Sequence, residues 1–176
     1  MSPHYTNLAK YPIWLRDTPN AVHRFEPRLQ TLITDKGSLT AALIRLGRGA
    51  FRVRVLRQAI ALPYFHEQRK LARPLSAAAM IREVELLVHD VPVVYARSIV
   101  PLTLVSQGRS GLANLGRTPL GHLLFKDGRI RVSKREFSTP ELNTTVLAAR
   151  RTPYDYQGST ILVSEFFLPA IYSFLT

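Results

Sequence analysis

The sequence predicts an α+β fold in which an antiparallel sheet is flanked by helices. Three observations carry that expectation. Apolar residues alternate along Met80–Val88 and Val93–Val100, and the turn-like His89-Asp90-Val91-Pro92 between them makes a hairpin. Helical patterns cluster early and mid-chain, without the regular strand–helix alternation of a parallel wound sheet. The chain has 176 residues, 46% hydrophobic and 20% charged, which is ordinary globular usage. A chain of that length buries roughly 70% of its unfolded surface, so one domain spanning residues 1–176 has a core available.

The elements follow in order. Residues 1–25 read as an irregular lead-in, because Pro3, Pro12 and Pro19 break helices. Residues 26–34 fit a short helix. Ser38 caps a second helix with apolar spacing at Leu39, Ala42, Leu43 and Leu46, and Gly47 and Gly49 stop it. Phe51–Ile60 alternates as a strand. Residues 61–76, with Pro63 and Pro74, read as a surface loop long enough to be a lid. Gly111–Gly116 and Pro119–Phe125 read as short helical pieces, the second with Pro119 at its first position. Arg129–Phe137 and Thr145–Arg151 read as strands, and Ile161–Leu168 as a strong terminal strand.

Charge narrows the partners. Lys plus Arg is 24 against 12 for Asp plus Glu, a net +12. Such a balance points to nucleic acid, an acidic membrane or an anionic metabolite. The sequence has no cysteine, which excludes disulfides, thiolate metal sites and cysteine nucleophiles. Met1–Trp14 lacks the apolar run of a signal peptide. The longest apolar runs, such as Phe166–Ala170, fall far short of the ~20 residues of a membrane helix. A soluble cytoplasmic protein without membrane insertion is the expectation.

The five histidines (His4, His23, His66, His89, His122) show no metal-ligand spacing and read as surface or loop residues. Gly47-Arg48-Gly49 and Gly108-Arg109-Ser110-Gly111 lack the ending of a phosphate loop. No serine sits in a nucleophile elbow. Arg52 and Arg54, and Arg129, Arg131 and Arg135, form same-face sets that would suit a nucleic-acid stripe. No aromatics are interleaved with them, so a solvated basic face is preferred and no nucleic-acid partner is expected.

Two charges stand on apolar faces. Arg82 shares its strand face with Met80, Val84, Leu86 and Val88, and Glu165 shares its own with Ile161, Val163 and Phe167. A buried arginine keeps its charge and needs an anion. Two readings stay open at this point. In one, Arg82 and Glu165 pair as a structural salt bridge. In the other they face a closed pocket, where Arg82 grips a ligand carboxylate and Glu165 meets a hydroxyl or leaving group. Burial would raise the pKa of Glu165 while a nearby Arg82 would lower it. Arg97, with Val93, Tyr95 and Ile99, is a third candidate for the cavity, with a structural role equally open.

From Gly37 to about Ala170 the chain resembles the chorismate–pyruvate lyases. The matching pieces are Gly37-Ser38-Leu39-Thr40, Ile81-Arg82-Glu83-Val84, Ala96-Arg97-Ser98-Ile99-Val100-Pro101, Leu115-Gly116-Arg117-Thr118-Pro119-Leu120-Gly121 with Leu124-Phe125, Arg150-Arg151-Thr152, and Ser164-Glu165-Phe166-Phe167-Leu168-Pro169-Ala170. Their order and spacing are more specific than any one of them. The family often carries Met where Leu39 stands and Trp where Val93 stands.

The resemblance implies a sheet with an internal ligand cavity under helical flaps, a fold shared with effector domains of bacterial transcription regulators (UTRA-like). It implies conversion of chorismate to 4-hydroxybenzoate and pyruvate for ubiquinone synthesis by a monomer with no cofactor or metal. The closed cavity implies retention of 4-hydroxybenzoate. Arg82 would bind the ligand carboxylate, and Glu165 would contact the ring hydroxyl and handle the proton. Leu39 and Leu120 would line the pocket and offer backbone amides. The alternative is a non-catalytic domain of the same fold that senses an aromatic carboxylate.

Overall fold

The computed structural model describes residues 9–10, 12–72, 74–106, 111–112, 115–126, 128, 130–139 and 146–175. The strands are β1 (Leu15–Arg16), β2 (Phe51–Ala61), β3 (Ala79–Val88), β4 (Val91–Pro101), β5 (Arg131–Val132), β6 (Glu136–Ser138), β7 (Ala148–Tyr156) and β8 (Ser159–Phe167). The helices are α1 (Pro19–Val22), α2 (Pro27–Thr34), α3 (Leu39–Leu46), α4 (Phe65–Lys70), α5 (Leu102–Ser106) and α6 (Leu120–Lys126). All strands join one antiparallel sheet in the order β1-β6-β7-β8-β4-β3-β2, with β5 also pairing with β7. The expected α+β architecture is therefore present.

Local chemistry accounts for most boundaries. The Ser38 hydroxyl accepts from the Ala41 amide and starts α3. His89 and Asp90, at φ 47° and 65°, turn the β3–β4 hairpin in two residues, a twist that suits paired strands. The four-residue spacer is thus shorter than the pattern implied. Residues 61–76 are not a plain loop. They contain α4, whose Glu67 accepts from the Tyr64 amide at 2.8 Å. The lead-in contains β1 and α1, because Pro19 opens a helical turn rather than breaking one. The segment expected as one strand from Arg129 to Phe137 is two short ones, β5 and β6, broken at residues 133–135. Residues 1–8, Arg73, Arg129, Thr145 and parts of 107–114 lie outside the described residues, as does most of Gly108–Gly111.

The sheet is covered on both faces. On one, α2 and α3 bring Leu29, Ile33 and Leu43 onto Val84, Leu86 and Phe167. On the same face Leu104, Leu120 and Leu124 of α5 and α6 cover Met80, Val100 and Ile161. On the other face Trp14 and Tyr64 pack with Tyr95, Phe166 and Leu168. Every residue of β3 is consequently buried, including its charged ones.

The second face carries a closed ion cluster. Arg97 donates to both oxygens of Glu67 at 2.8 and 3.1 Å and to Glu83 at 2.6 Å. Tyr95 donates to Glu83 at 3.1 Å, and the Tyr64 ring lies 4.2 Å from the guanidinium. Arg97 pairs in register with Glu83, not with Arg82, so it points away from the cavity face. Of the two readings open for Arg97, the structural role holds, and it is not part of the cavity with Arg82. Beside this cluster Glu136 accepts from Arg151 and pairs with Lys70 at 3.1 Å, and Arg151 also contacts His66 Nδ1 at 3.2 Å. His66 is therefore half-buried on α4 rather than a surface histidine.

Two predictions follow from the second face. Glu67→Ala strands the buried Arg97 and lowers unfolding free energy in urea by about 3 kcal/mol; a change below ~1 kcal/mol contradicts that reading. The second concerns acid. Burial holds the His66 pKa below 6.5. Burial works against ionisation of Glu136, but Arg151 and Lys70 outweigh it and hold that pKa below 4.5. Both groups bind protons less tightly folded than unfolded, so their stabilisation is complete above the ordinary values and lost as pH falls. Glu136→Gln should therefore lose less stability than the parent between about pH 6 and 3, and an equal loss contradicts the pairing.

Candidate functional site

The first face encloses a cavity between the sheet and the N-terminal ends of α3 and α6. Leu39, Arg82, Leu120 and Glu165 all line it, so the structure brings the four predicted residues together. Alternation delivers them. Arg82 lies opposite Ser98, and Ala96 lies opposite Glu165, on one face of β3, β4 and β8. Arg82 and Glu165 stand two strand spacings and two residues apart, roughly 12 Å between backbones. The start of α6 reaches α3, since a Cβ on Gly121 would lie 3.6 Å from Thr40 Oγ1 and 3.7 Å from Ser38 Oγ. The free volume is about 50 Å³. That is far below the ~300–1,000 Å³ of ordinary small-molecule sites, so a ligand enters only when a wall moves.

Arg82 is 2% exposed, yet it has no carboxylate partner among the described residues. It donates to Gln58 Oε1 at 2.7 Å and to the carbonyls of Gly116 and Thr118 at 2.9 and 3.3 Å. Burial lowers its pKa from the ordinary arginine value. A bulge in β2 between Val55 and Arg57 supplies the neutral partner. In an unbroken register, without the bulge, Arg57 would oppose Arg82. With it, Gln58 opposes Arg82 and Arg57 opposes Glu83.

Glu165 has its own cation. Arg150 lies opposite it on β7, and Arg150 Nε donates to Glu165 Oε2 at 2.5 Å. Arg150 Nη1 donates to the carbonyls of Leu32, Ile33 and Asp35 at 3.1 Å, which ties the end of α2 to the sheet. Burial disfavours its charge, but Glu165 more than compensates and the pKa is raised. The salt bridge between Arg82 and Glu165 is thus ruled out in favour of Arg150–Glu165. Tyr154, also on the cavity wall, has a pKa raised by burial and by Glu165.

Sequence reasoning missed Gln58, Arg150 and Tyr154. Arg150 stood in one of the quoted motifs, and its alternation with Thr152 and Tyr154 was readable. Its pairing with Glu165 was not, because register between distant strands is not local information. The basic sets dissolve. Arg52 pairs with Asp90 and Arg54 with Glu85, while Arg135 is buried. Among the described residues no helix is long and apolar enough to cross a membrane, and no three His, Asp or Glu side chains converge as metal ligands.

The cavity therefore has an arginine without an acid partner among the described residues at one end and an ion-paired carboxylate at the other. A family model described as chorismate lyase matches residues 9–175, and the chain belongs to that family of enzymes. Probable chorismate pyruvate-lyases from Aromatoleum aromaticum and Azoarcus sp. are 37% and 36% identical to it. Each alignment covers 90% of this chain, and 92% and 91% of the relative respectively. The crystal structure of PhnF from Mycobacterium smegmatis superposes with a TM-score of 0.55 at 13% identity, covering 81% of this chain and 67% of that one. The effector domain of PhnF alone gives 0.51 at 13% identity, covering 76% and 90%. These likenesses show the fold.

The Arg150–Glu165 pair predicts a stability effect. Arg150→Met leaves a buried carboxylate without its cation and costs about 3–5 kcal/mol of unfolding free energy by urea titration. Arg82→Met, which strands only carbonyls and an amide, costs less than half as much. Equal losses would contradict the assignment of partners.

Proposed function

We propose that the protein cleaves chorismate to 4-hydroxybenzoate and pyruvate, a step that supplies ubiquinone synthesis. The observation that carries this reading is the buried Arg82, whose guanidinium has only neutral acceptors among the described residues. A planar fork held that way exchanges the carbonyls of Gly116 and Thr118 for a carboxylate at a gain in charge pairing. Glu165, across the cavity and aligned by Arg150, accepts the hydroxyl end of a para-substituted ring. Leu39 and Leu120 open α3 and α6, where the first amides of a helix have no intrahelical acceptor. Those amides assist Arg82 with the carboxylate.

The reaction balances without an oxidant or reductant. The bond from ring carbon 3 to the enolpyruvyl oxygen breaks, and its electron pair leaves with the oxygen. The hydrogen on carbon 4 departs as a proton, and its bonding pair completes the aromatic ring. The enolpyruvate gains a proton and becomes pyruvate. In this chain Arg82 positions the ring carboxylate, and Glu165 holds the carbon 4 hydroxyl and receives the proton beside it. The walls exclude water from the developing charge. The net charge of +12 attracts the dianionic substrate. The tight cavity then holds the aromatic product, making release slow. The same reading has residues 1–176 acting as one monomeric domain in the cytoplasm.

Incubation with chorismate in the presence of a chelator should yield 4-hydroxybenzoate and pyruvate in equal amounts, each detected separately. Binding of 4-hydroxybenzoate without turnover would instead support a sensor of aromatic carboxylates. Arg82→Ala should weaken 4-hydroxybenzoate binding by at least ~30-fold, about 2 kcal/mol, with Arg82→Lys recovering only part. Glu165→Gln should still bind 4-hydroxybenzoate and lose most turnover. Near-normal affinity in Arg82→Ala, or full turnover in Glu165→Gln, contradicts the assigned roles.

A further inference from the structure

Five buried side-chain nitrogen or oxygen atoms among the described residues lack a well-aligned hydrogen-bond partner, and three of them belong to Arg135 and Thr152. They are Nε and Nη2 of Arg135 and Oγ1 of Thr152. Native proteins leave few such atoms, and a cluster of them needs a reason. Arg135 is 5% exposed and occupies the break between β5 and β6. Its Nη1 donates to the carbonyls of Thr34 and Asp35 at 3.1 and 2.5 Å, at the end of α2. One edge of the fork is anchored on the α2 carbonyls, and the other meets the Tyr154 hydroxyl, a neutral partner that Thr152 also contacts.

Arg135 and Thr152 stand just behind the cavity wall rather than in it, next to the lining residues Tyr154 and Val163. Thr152 lies between Arg150 and Tyr154 along β7, on their face, and pairs in register with Val163, which lines the cavity. Tyr154 lines it too. Arg135 and Arg150 both donate to the Asp35 carbonyl, and Arg150 holds Glu165, so Arg135 stands at the carboxylate end of the cavity. Burial, followed by the repulsion of Arg150, makes its charged form costly there. Arg150 spends its Nε on Glu165, and no described carboxylate hydrogen-bonds or pairs with Arg135.

We propose that Arg135, with the Thr152 hydroxyl beside it, receives the second carboxylate of the substrate, that of the departing enolpyruvyl group. This rests on the reading of the substrate as chorismate. That molecule carries one carboxylate on the ring and one on the enolpyruvyl side chain. With the ring carboxylate at Arg82 and the carbon 4 hydroxyl at Glu165, the ether on carbon 3 lies next to the Glu165 end. The enolpyruvyl carboxylate then extends past Glu165 toward Arg135. The Nε–Nη2 edge of the guanidinium, held only by the neutral Tyr154 hydroxyl, offers two parallel N–H donors, which match a carboxylate. The same cation steadies the negative charge that the enolpyruvate gains as it leaves. Arg135 is thus a substrate-selecting residue that the product, with its single carboxylate, does not use.

The experiment compares substrate and product on the full chain. In Arg135→Gln, kcat/KM for chorismate should fall by about 30-fold or more, the usual result of truncating one partner of a buried charge pair. The Kd for 4-hydroxybenzoate should stay within about twofold of the parent, whereas Arg82→Ala weakens both. Arg135→Lys keeps the charge and should recover part of the loss, and it carries the same comparison if Arg135→Gln does not fold. Parallel losses of chorismate turnover and 4-hydroxybenzoate affinity in the folded Arg135 variants would make Arg135 a prop for α2 and overturn the proposal. Unchanged kcat/KM would overturn it as well. Failure of the parent protein to cleave chorismate would count against the function itself, and the parent is measured first.

Discussion

An arginine side chain cannot surrender its proton on burial, and the architecture of this protein turns on that constraint. Five arginines are buried among the described residues: Arg82, Arg97, Arg135, Arg150 and Arg151. Each must find oxygen atoms inside the fold. Arg97 finds two carboxylates, Arg150 and Arg151 find one each, and Arg82 and Arg135 hydrogen-bond only to neutral oxygens. The two without acid partners stand on the cavity face or in the layer beside it.

The sheet sorts these roles. Residues one apart on a strand face opposite ways, so Arg82 and Glu83, or Arg150 and Arg151, serve different layers from adjacent positions. The face under Trp14 and Tyr64 holds complete ion clusters that fix α4 to the sheet. The face under α3 and α6 pairs Glu165 with Arg150 and leaves Arg82 on neutral oxygens. The bulge in β2 matters because it keeps the polarity of the two faces in step. It turns Arg57 toward Glu83 and leaves Gln58, which can be displaced without stranding a charge, against Arg82.

Much of this was legible in the sequence. Strict alternation around Arg82 and around Glu165 revealed both as charges on apolar faces before any partner was known. Ser38, the glycines after α3 and the strong hydrophobic runs of β3, β4 and β8 placed the main elements. What stayed hidden depends on nonlocal pairing. No local pattern says that β8 lies between β4 and β7, and so none could choose Arg150 over Arg82 as the partner of Glu165. The same ignorance left the layer of Arg97 open, because its relation to Arg82 is set by hairpin register and a two-residue turn at His89-Asp90. α4 was missed because Pro63 and Pro74 flank only a six-residue helix, too short for a periodic signal. Arg135 looked like part of a surface stripe because the break between β5 and β6 that turns it inward leaves no mark in the alternation.

The central claim is that Arg82 is held in neutral hands so that a ligand carboxylate can take it. A crystal structure with 4-hydroxybenzoate tests this most directly. The account predicts the ligand carboxylate on the Arg82 guanidinium, the carbonyls of Gly116 and Thr118 released from it, and the ring hydroxyl on Glu165 with the Arg150 pair intact. A ligand bound elsewhere, or one bound in the cavity while Arg82 keeps all three of its present partners, would contradict it.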